Sequence, residues 1–242
     1  MELKILHYFL LIGFTMFGII TNSLSFNPIR FHCDNYILNT YLYFILSWGI
    51  LLATNATLYS KNVELHDLFS GPFTILLMLS SLSLLIGLLY VPPSLFFTKH
   101  LLYILEIILF GIIMYPYYKN NREQFNQVGI TTLLVLIMLT IISVMFKDLI
   151  SDRWENYLII GLISLIIARI IEIYKNVEHN DQYSRIITYL SVLIFSMFIM
   201  VDTKKIIVNA DNCVNPDYIN ESLSLFLDSI NLFQNIYRLK QE

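Results

Sequence analysis

Two aspartates stand in runs that are otherwise apolar: Asp202 closes IITYLSVLIFSMFIMVD, and Asp228 lies within SLSLFLDSINLF. A carboxylate at the centre of a bilayer costs ~2.5–3.5 kcal/mol on insertion scales, so such residues face a water-filled cavity, a partner or an ion pathway. Around Asp228, the residues Glu221, Ser224, Asn231 and Asn235 recur with gaps of 3, 4, 3 and 4, which sets all five along one helical face. On the preceding segment Asp202 lies eleven residues after Ser191 and fourteen after Thr188, both near multiples of the helical repeat, so these three share a face. A short loop can bring the two aspartates together. Paired carboxyls that approach closely cannot both ionise cheaply; the pair holds one shared proton and titrates as a unit near physiological pH. It also offers the hard oxygen ligands that calcium takes. Asp202 and Asp228 are therefore a candidate pH-sensitive calcium gate, with Glu221, Ser224 and Asn231 lining its path. Two plainer readings stay open: Asp202 merely ends its helix at the headgroups, or the last segment is an amphipathic helix lying on the surface. The polar stripe, however, carries no lysine or arginine until Arg238.

The elements that must position these residues follow from composition. Of 242 residues, 57% are hydrophobic and 14% charged, and the mean hydropathy is +0.66. That leaves too little polar surface to wrap a soluble globule, so the chain is an all-α polytopic membrane protein. At about 20 residues per crossing it holds roughly seven or eight apolar segments in one bundle. They run at 5–20, 36–59, 71–92, 101–118, 127–147, 155–174, 184–202 and 219–237. Most breaks are near ten residues, which predicts antiparallel neighbours. With 8 Gly, no phosphate-binding glycine loop and a net charge of -3, nucleic acid is excluded as a partner; membrane lipid is the obligatory one.

Residues 1–35 form a separate N-terminal hydrophobic segment and linker, with the membrane domain at 36–242. A lysine, an apolar core, and Ser23 and Ser25 give the first segment the outline of a signal peptide, and an uncleaved anchor fits equally well. If the segment at 36–59 starts in the cytosol, that side holds eight basic residues (Arg30, Lys99, Lys147, Arg153, Lys204, Lys205, Arg238 and Lys240). The other side holds five (Lys61, Lys119, Arg122, Lys175 and Arg185), so the positive-inside rule favours this orientation. Cys33 and Cys213 are then cytosolic and reduced, two structural thiols without metal spacing. Asn215 and Pro216 read as N-cap and first residue of the last helix, with Asp217 and Glu221 complementing its dipole.

The string FSMFIMVDTKKIIVNADNCVNPDYINESLSLFLDSINLFQNIYRL resembles the C-terminal signature of the transmembrane BAX inhibitor motif family, also called Lifeguard. In that family an aspartate-threonine pair ends the sixth helix, and a helix with an aspartate, an asparagine and a Leu-Phe pair follows. Asp202-Thr203, Leu225-Phe226-Leu227-Asp228 and Asn231-Leu232-Phe233 match that pattern over about 45 residues, with weaker similarity back to about residue 36. Glu106 in LLYILEIILFG resembles the family's third-helix glutamate, and Phe146-Lys147-Asp148 the end of its fourth helix. The resemblance implies six transmembrane helices around a short central C-terminal helix. It also implies a calcium leak channel of an internal membrane, endoplasmic reticulum or Golgi, gated by protonation of the two aspartates and suppressing cell death by lowering stored calcium. The chain departs from the family in three ways. FTILLMLSSLSLLIGLLYVPP lacks the arginine that in some relatives contacts the aspartates, the C-terminus is not strongly basic, and the segment at 5–20 is extra.

Arg169 and Glu172 sit three apart, where they pair across one helical turn. Glu106 is a further candidate for the gate and ion pathway; it has no partner evident in the sequence, and the interior and Arg169 are both open to it. His66, His100 and His179 lie at segment ends or in loops and form no metal constellation. Neither an HExxH nor a Gly-x-Gly-Asp motif is present, so an enzyme is not expected. No cofactor is implied beyond calcium as permeant or ligand. The rival to a channel is a non-conducting membrane regulator that binds cell-death or channel proteins through its lipid-facing surface. Abundant Ile, Asn and Tyr fit an AT-rich genome, a viral one acting in host membranes among them.

Overall fold

A computed structural model describes residues 2–23, 33–69, 71–151, 153–174, 181–213 and 216–241. Its helices are α1 (Glu2–Ser23), α2 (Tyr36–Ser60), α3 (Leu65–Leu68), α4 (Gly71–Tyr90), α5 (Phe96–Asn120), α6 (Arg122–Met145), α7 (Trp154–Tyr174), α8 (Asp181–Asp211) and α9 (Tyr218–Leu239). No strand occurs among the described residues. Six helices, α2 and α4 to α8, are long and apolar enough to cross a membrane, and α1 adds a shorter apolar stretch, Leu6–Ile20. The fold class expected from composition is therefore present, with the extra N-terminal helix. Many large apolar side chains point outward, as Ile75, Leu76 and Met78 do on α4, and Ile160, Ile163 and Ile170 on α7. Water would penalise that pattern; hydrocarbon does not.

Two sequence expectations about boundaries are corrected. The break expected between 118 and 127 is short, because α5 runs to Asn120 and α6 starts at Arg122. Likewise α8 does not stop at Asp202 but continues for nine residues to Asp211. An apolar run marks what lipid covers, while the backbone hydrogen-bond ladder carries on into polar sequence. Asp202 is thus interior to its helix, which removes the reading of it as a terminator. Arg30, Lys175, His179 and the expected cap Asn215 lie outside the described residues.

Contacts divide the chain into two compact units, Met1–Arg122 with Asn209–Leu223, and Glu123–Val208 with Ser224–Glu242. In the first, α2 and α5 run parallel, since Tyr43 meets His100, Ser47 meets Tyr103 and Tyr59 meets Tyr118. They approach closely at Gly111, where a Cβ would stand 2.7 Å from the Cβ of Thr54. Helix α1 packs antiparallel on α2, with Gly49 lying under Ile12 and Gly18 under Leu42.

The cysteines correct the expectation of reduced thiols: Cys33 and Cys213 form a disulfide with Cα atoms 5.7 Å apart. Their separation of 180 residues hid the pairing, because the fold brings the start of α2 beside the chain that leads into α9. Disulfides persist in oxidising compartments, so this bond and the basic-residue count favour opposite faces for that end of the molecule.

In the second unit Ile150, Leu158 and Val201 form a buried cluster covered by Trp154, Ile194 and Phe198. Lys204 donates to the Ile150 carbonyl at 2.7 Å and Ser143 to the Met200 carbonyl at 2.7 Å. These bonds fix α6, the turn after it and α8 around the region of Asp202.

Candidate functional site

Asp202 is buried on α8 and flanked by buried Val201 and Thr203. Ser224, on the first α9 turn of the second unit, donates its hydroxyl to Asp202 Oδ2 at 2.5 Å. Asp228, one turn further along α9, lies within hydrogen-bonding reach of Asp202. Its Oδ2 is buried and has no hydrogen-bond partner among the described residues. Two facing carboxylates cannot bond to each other, because both only accept; a single proton between them supplies the missing donor. That proton also removes the repulsion of two like charges in a poorly screened setting. A pair of this kind can hold together on a shared proton and repel without it.

Charges beyond the pair bias that balance. Lys205, one turn after Asp202, acts on both carboxyls, and Glu155 acts on Asp202. The two are themselves paired, Lys205 Nζ to Glu155 Oε1 at 2.6 Å. Sequence reasoning missed this pair: the i,i+3 spacing of Asp202 and Lys205 was visible, whereas Glu155 is fifty residues away in the chain.

The remaining expected residues fall in separate places. Asn231 and Asn235 continue the α9 stripe, and their amide groups turn back on their own helix, donating to the Leu227 carbonyl at 2.8 Å and the Asn231 carbonyl at 2.7 Å. Glu221 belongs to the first unit, where it accepts from Tyr36 Oη at 3.3 Å and from Asn209. Glu106 is fully buried in that unit. Ser81 of α4 donates to its Oε1 at 2.9 Å, and Oε2 has no partner among the described residues.

Helix α9 is capped by Asp217; the expected cap, Asn215, lies outside the described residues. The Asn220 amide donates to Asp217 Oδ1 at 3.2 Å, while Asp217 Oδ2 takes the fully buried Lys99 ammonium at 2.5 Å. Aspartate is among the good N-cap residues, and here it serves as cap and ion-pair partner at once. Lys99 also donates to the Val91 carbonyl at 2.9 Å. The disulfide, this ion pair and the Tyr36 hydroxyl thus anchor the entry to α9 at Cys213, Asp217 and Glu221.

As a calcium site the pair is sparse. Calcium takes 6–8 oxygen ligands, and among the described residues no group of three or more His, Cys, Asp or Glu gathers as a metal site.

No curated protein matches this sequence. The model of one family, described as inhibitor of apoptosis-promoting Bax1, matches residues 33–241, taking in both aspartates, both cysteines and every helix from α2 to α9. The chain therefore belongs to the Bax inhibitor family of membrane proteins, with α1 as an addition outside the family match.

Proposed function

We propose that this membrane cell-death regulator is a pH-sensitive calcium leak channel of an internal membrane, endoplasmic reticulum or Golgi. In this reading it lowers stored calcium and is gated by Asp202 and Asp228. The observation that carries the reading is the placement of Asp228 opposite Asp202, with Ser224 bonded to Asp202 and an acceptor oxygen left over on Asp228. The shared proton holds α8 and α9 together. Its loss leaves two carboxylates in contact, which separate, and the freed oxygens then offer a divalent cation a hard, anionic foothold. The pair acts as a conduit gate and carries out no catalysis. Membership of a family of cell-death inhibitors supports the physiological half of the proposal.

The test is calcium flux from proteoliposomes holding the full chain, against empty liposomes, at about pH 8, where the pair is expected to have lost its proton. Flux above the empty control supports a leak. Flux equal to the control moves the function to a non-conducting regulator that binds cell-death or channel proteins.

A further inference from the structure

The α9 stripe ends at a second charged station that the carboxyl pair does not explain. Arg169, on α7, donates from Nη1 to Glu172 Oε2 at 2.8 Å. Its Nη2 donates to Thr188 Oγ1 on α8 at 2.8 Å and to Asn235 Oδ1 on α9 at 3.4 Å. The expected Glu172 pairing is present, while Glu106, the other partner open to Arg169 in the sequence, is bonded to Ser81. Instead the guanidinium reaches oxygen atoms on three helices, and both charged side chains are 20% exposed.

What it touches on α9 matters. Asn231 and Asn235 each give an amide hydrogen to a carbonyl of their own helix, and Asn235 Oδ1 accepts from Arg169. Along this face an oxygen row runs from the Asp228 carboxyl to the amide oxygen of Asn235. Seven residues separate Asp228 from Asn235, which is ~10 Å along a helix. The last oxygen of this row is held by the positive charge of Arg169. A divalent cation approaching the same oxygens meets that charge at short range, in surroundings that screen it weakly.

We infer that Arg169 is a tethered cation that closes the Asn235 end of the oxygen row and competes with a divalent cation for it. Glu172 holds the guanidinium in place, itself hydrogen-bonded by Ser184 and lying near Arg238. The inference deepens the channel reading and rests on it for its physiological meaning, although the competition for oxygen ligands is a property of the site alone. A helix clamp would use the same hydrogen bonds but would have no effect on cation affinity.

The test compares wild type with Arg169→Gln and Arg169→Lys, as full chains. Glutamine keeps a hydrogen-bond donor for Thr188 and Asn235 and loses the charge; lysine keeps the charge. Two readouts are taken, equilibrium binding of radioactive calcium in detergent and calcium flux in proteoliposomes. The expected result is several-fold tighter calcium binding and several-fold faster flux for Arg169→Gln, with the pH dependence set by Asp202 and Asp228 retained. Arg169→Lys is expected to stay near wild type. If wild type conducts and Arg169→Gln binds and conducts calcium no better, Arg169 is a clamp and the inference falls while the channel reading stands. If no variant conducts, yet Arg169→Gln tightens calcium binding and Asn235→Leu abolishes that gain, the inference stands and the channel reading falls.

Discussion

Asp202 and Asp228 sit on consecutive helices with Ser224 bonded to the first and no hydrogen-bond partner among the described residues for Oδ2 of the second. This asymmetry makes the pair more than two buried acids. Ser224 gives Asp202 a donor that suits its ionised form; in the proposed gate the shared proton then lies toward Asp228.

The serine offers a first prediction. Hydrogen bonding to a carboxylate favours its charged form, so Ser224→Ala removes support for ionisation. The onset of calcium flux is expected to move to higher pH, with the maximum rate little changed. A pH titration of flux in proteoliposomes reads this directly; an unmoved onset would show that Ser224 does not feel the proton.

The disulfide gives a second. Cys33 and Cys213 are the only cysteines, so a maleimide mass tag should add nothing to the denatured protein before reduction and two tags after it. Closing so long a loop stabilises a fold by about 2–4 kcal/mol in typical cases. Thermal unfolding is accordingly expected at lower temperature under reductant, and Cys33→Ser should remove that sensitivity.

A third concerns the buried ion pair at the entry to α9. Removing one partner of a buried pair costs about 3–5 kcal/mol, whereas replacing both by neutral groups costs far less. Lys99→Met should therefore lower the melting temperature strongly, and Lys99→Met combined with Asp217→Asn should recover a large part of the loss. Equal melting of the single and double variants would mean the pair contributes no coupling.

Helix packing supplies a fourth. A methyl at Gly111 would lie 2.7 Å from the Thr54 Cβ, and overpacking of this kind typically costs about 1–3 kcal/mol. Gly111→Ala should destabilise the protein. Adding Thr54→Ala should fail to rescue it, because the obstructing Cβ remains, while Thr54→Gly should rescue in part. Melting curves of the three variants decide.

Much of this was legible in the sequence, for an identifiable reason. Asp202 and Asp228 break hydrophobic runs, and the 3-4-3-4 spacing from Glu221 to Asn235 writes the α9 stripe in local order. What lay hidden depends on distant parts of the chain. The charge pattern around residue 61 did not reveal that Lys119 pairs with Glu64 at 2.7 Å. Nothing local links Glu155 to Lys205, Ser81 to Glu106 or Arg169 to Asn235. Helix ends were also poorly marked, since α8 runs beyond its apolar stretch and α9 takes its cap from a residue already committed to Lys99. The disulfide was illegible because basic residues in loops do not report the redox state of a face, and 180 residues along the chain set no limit on approach in the fold.

The most direct test of the central claim is the pH profile of calcium flux in proteoliposomes, comparing wild type with Asp202→Asn and Asp228→Asn at about pH 6 and about pH 8. An asparagine mimics the protonated acid and cannot lose the proton, so it should hold the pair closed at either pH. We expect wild-type flux to rise with pH and both variants to stay low and flat. Variants that conduct with the wild-type rate and the wild-type rise would contradict the account.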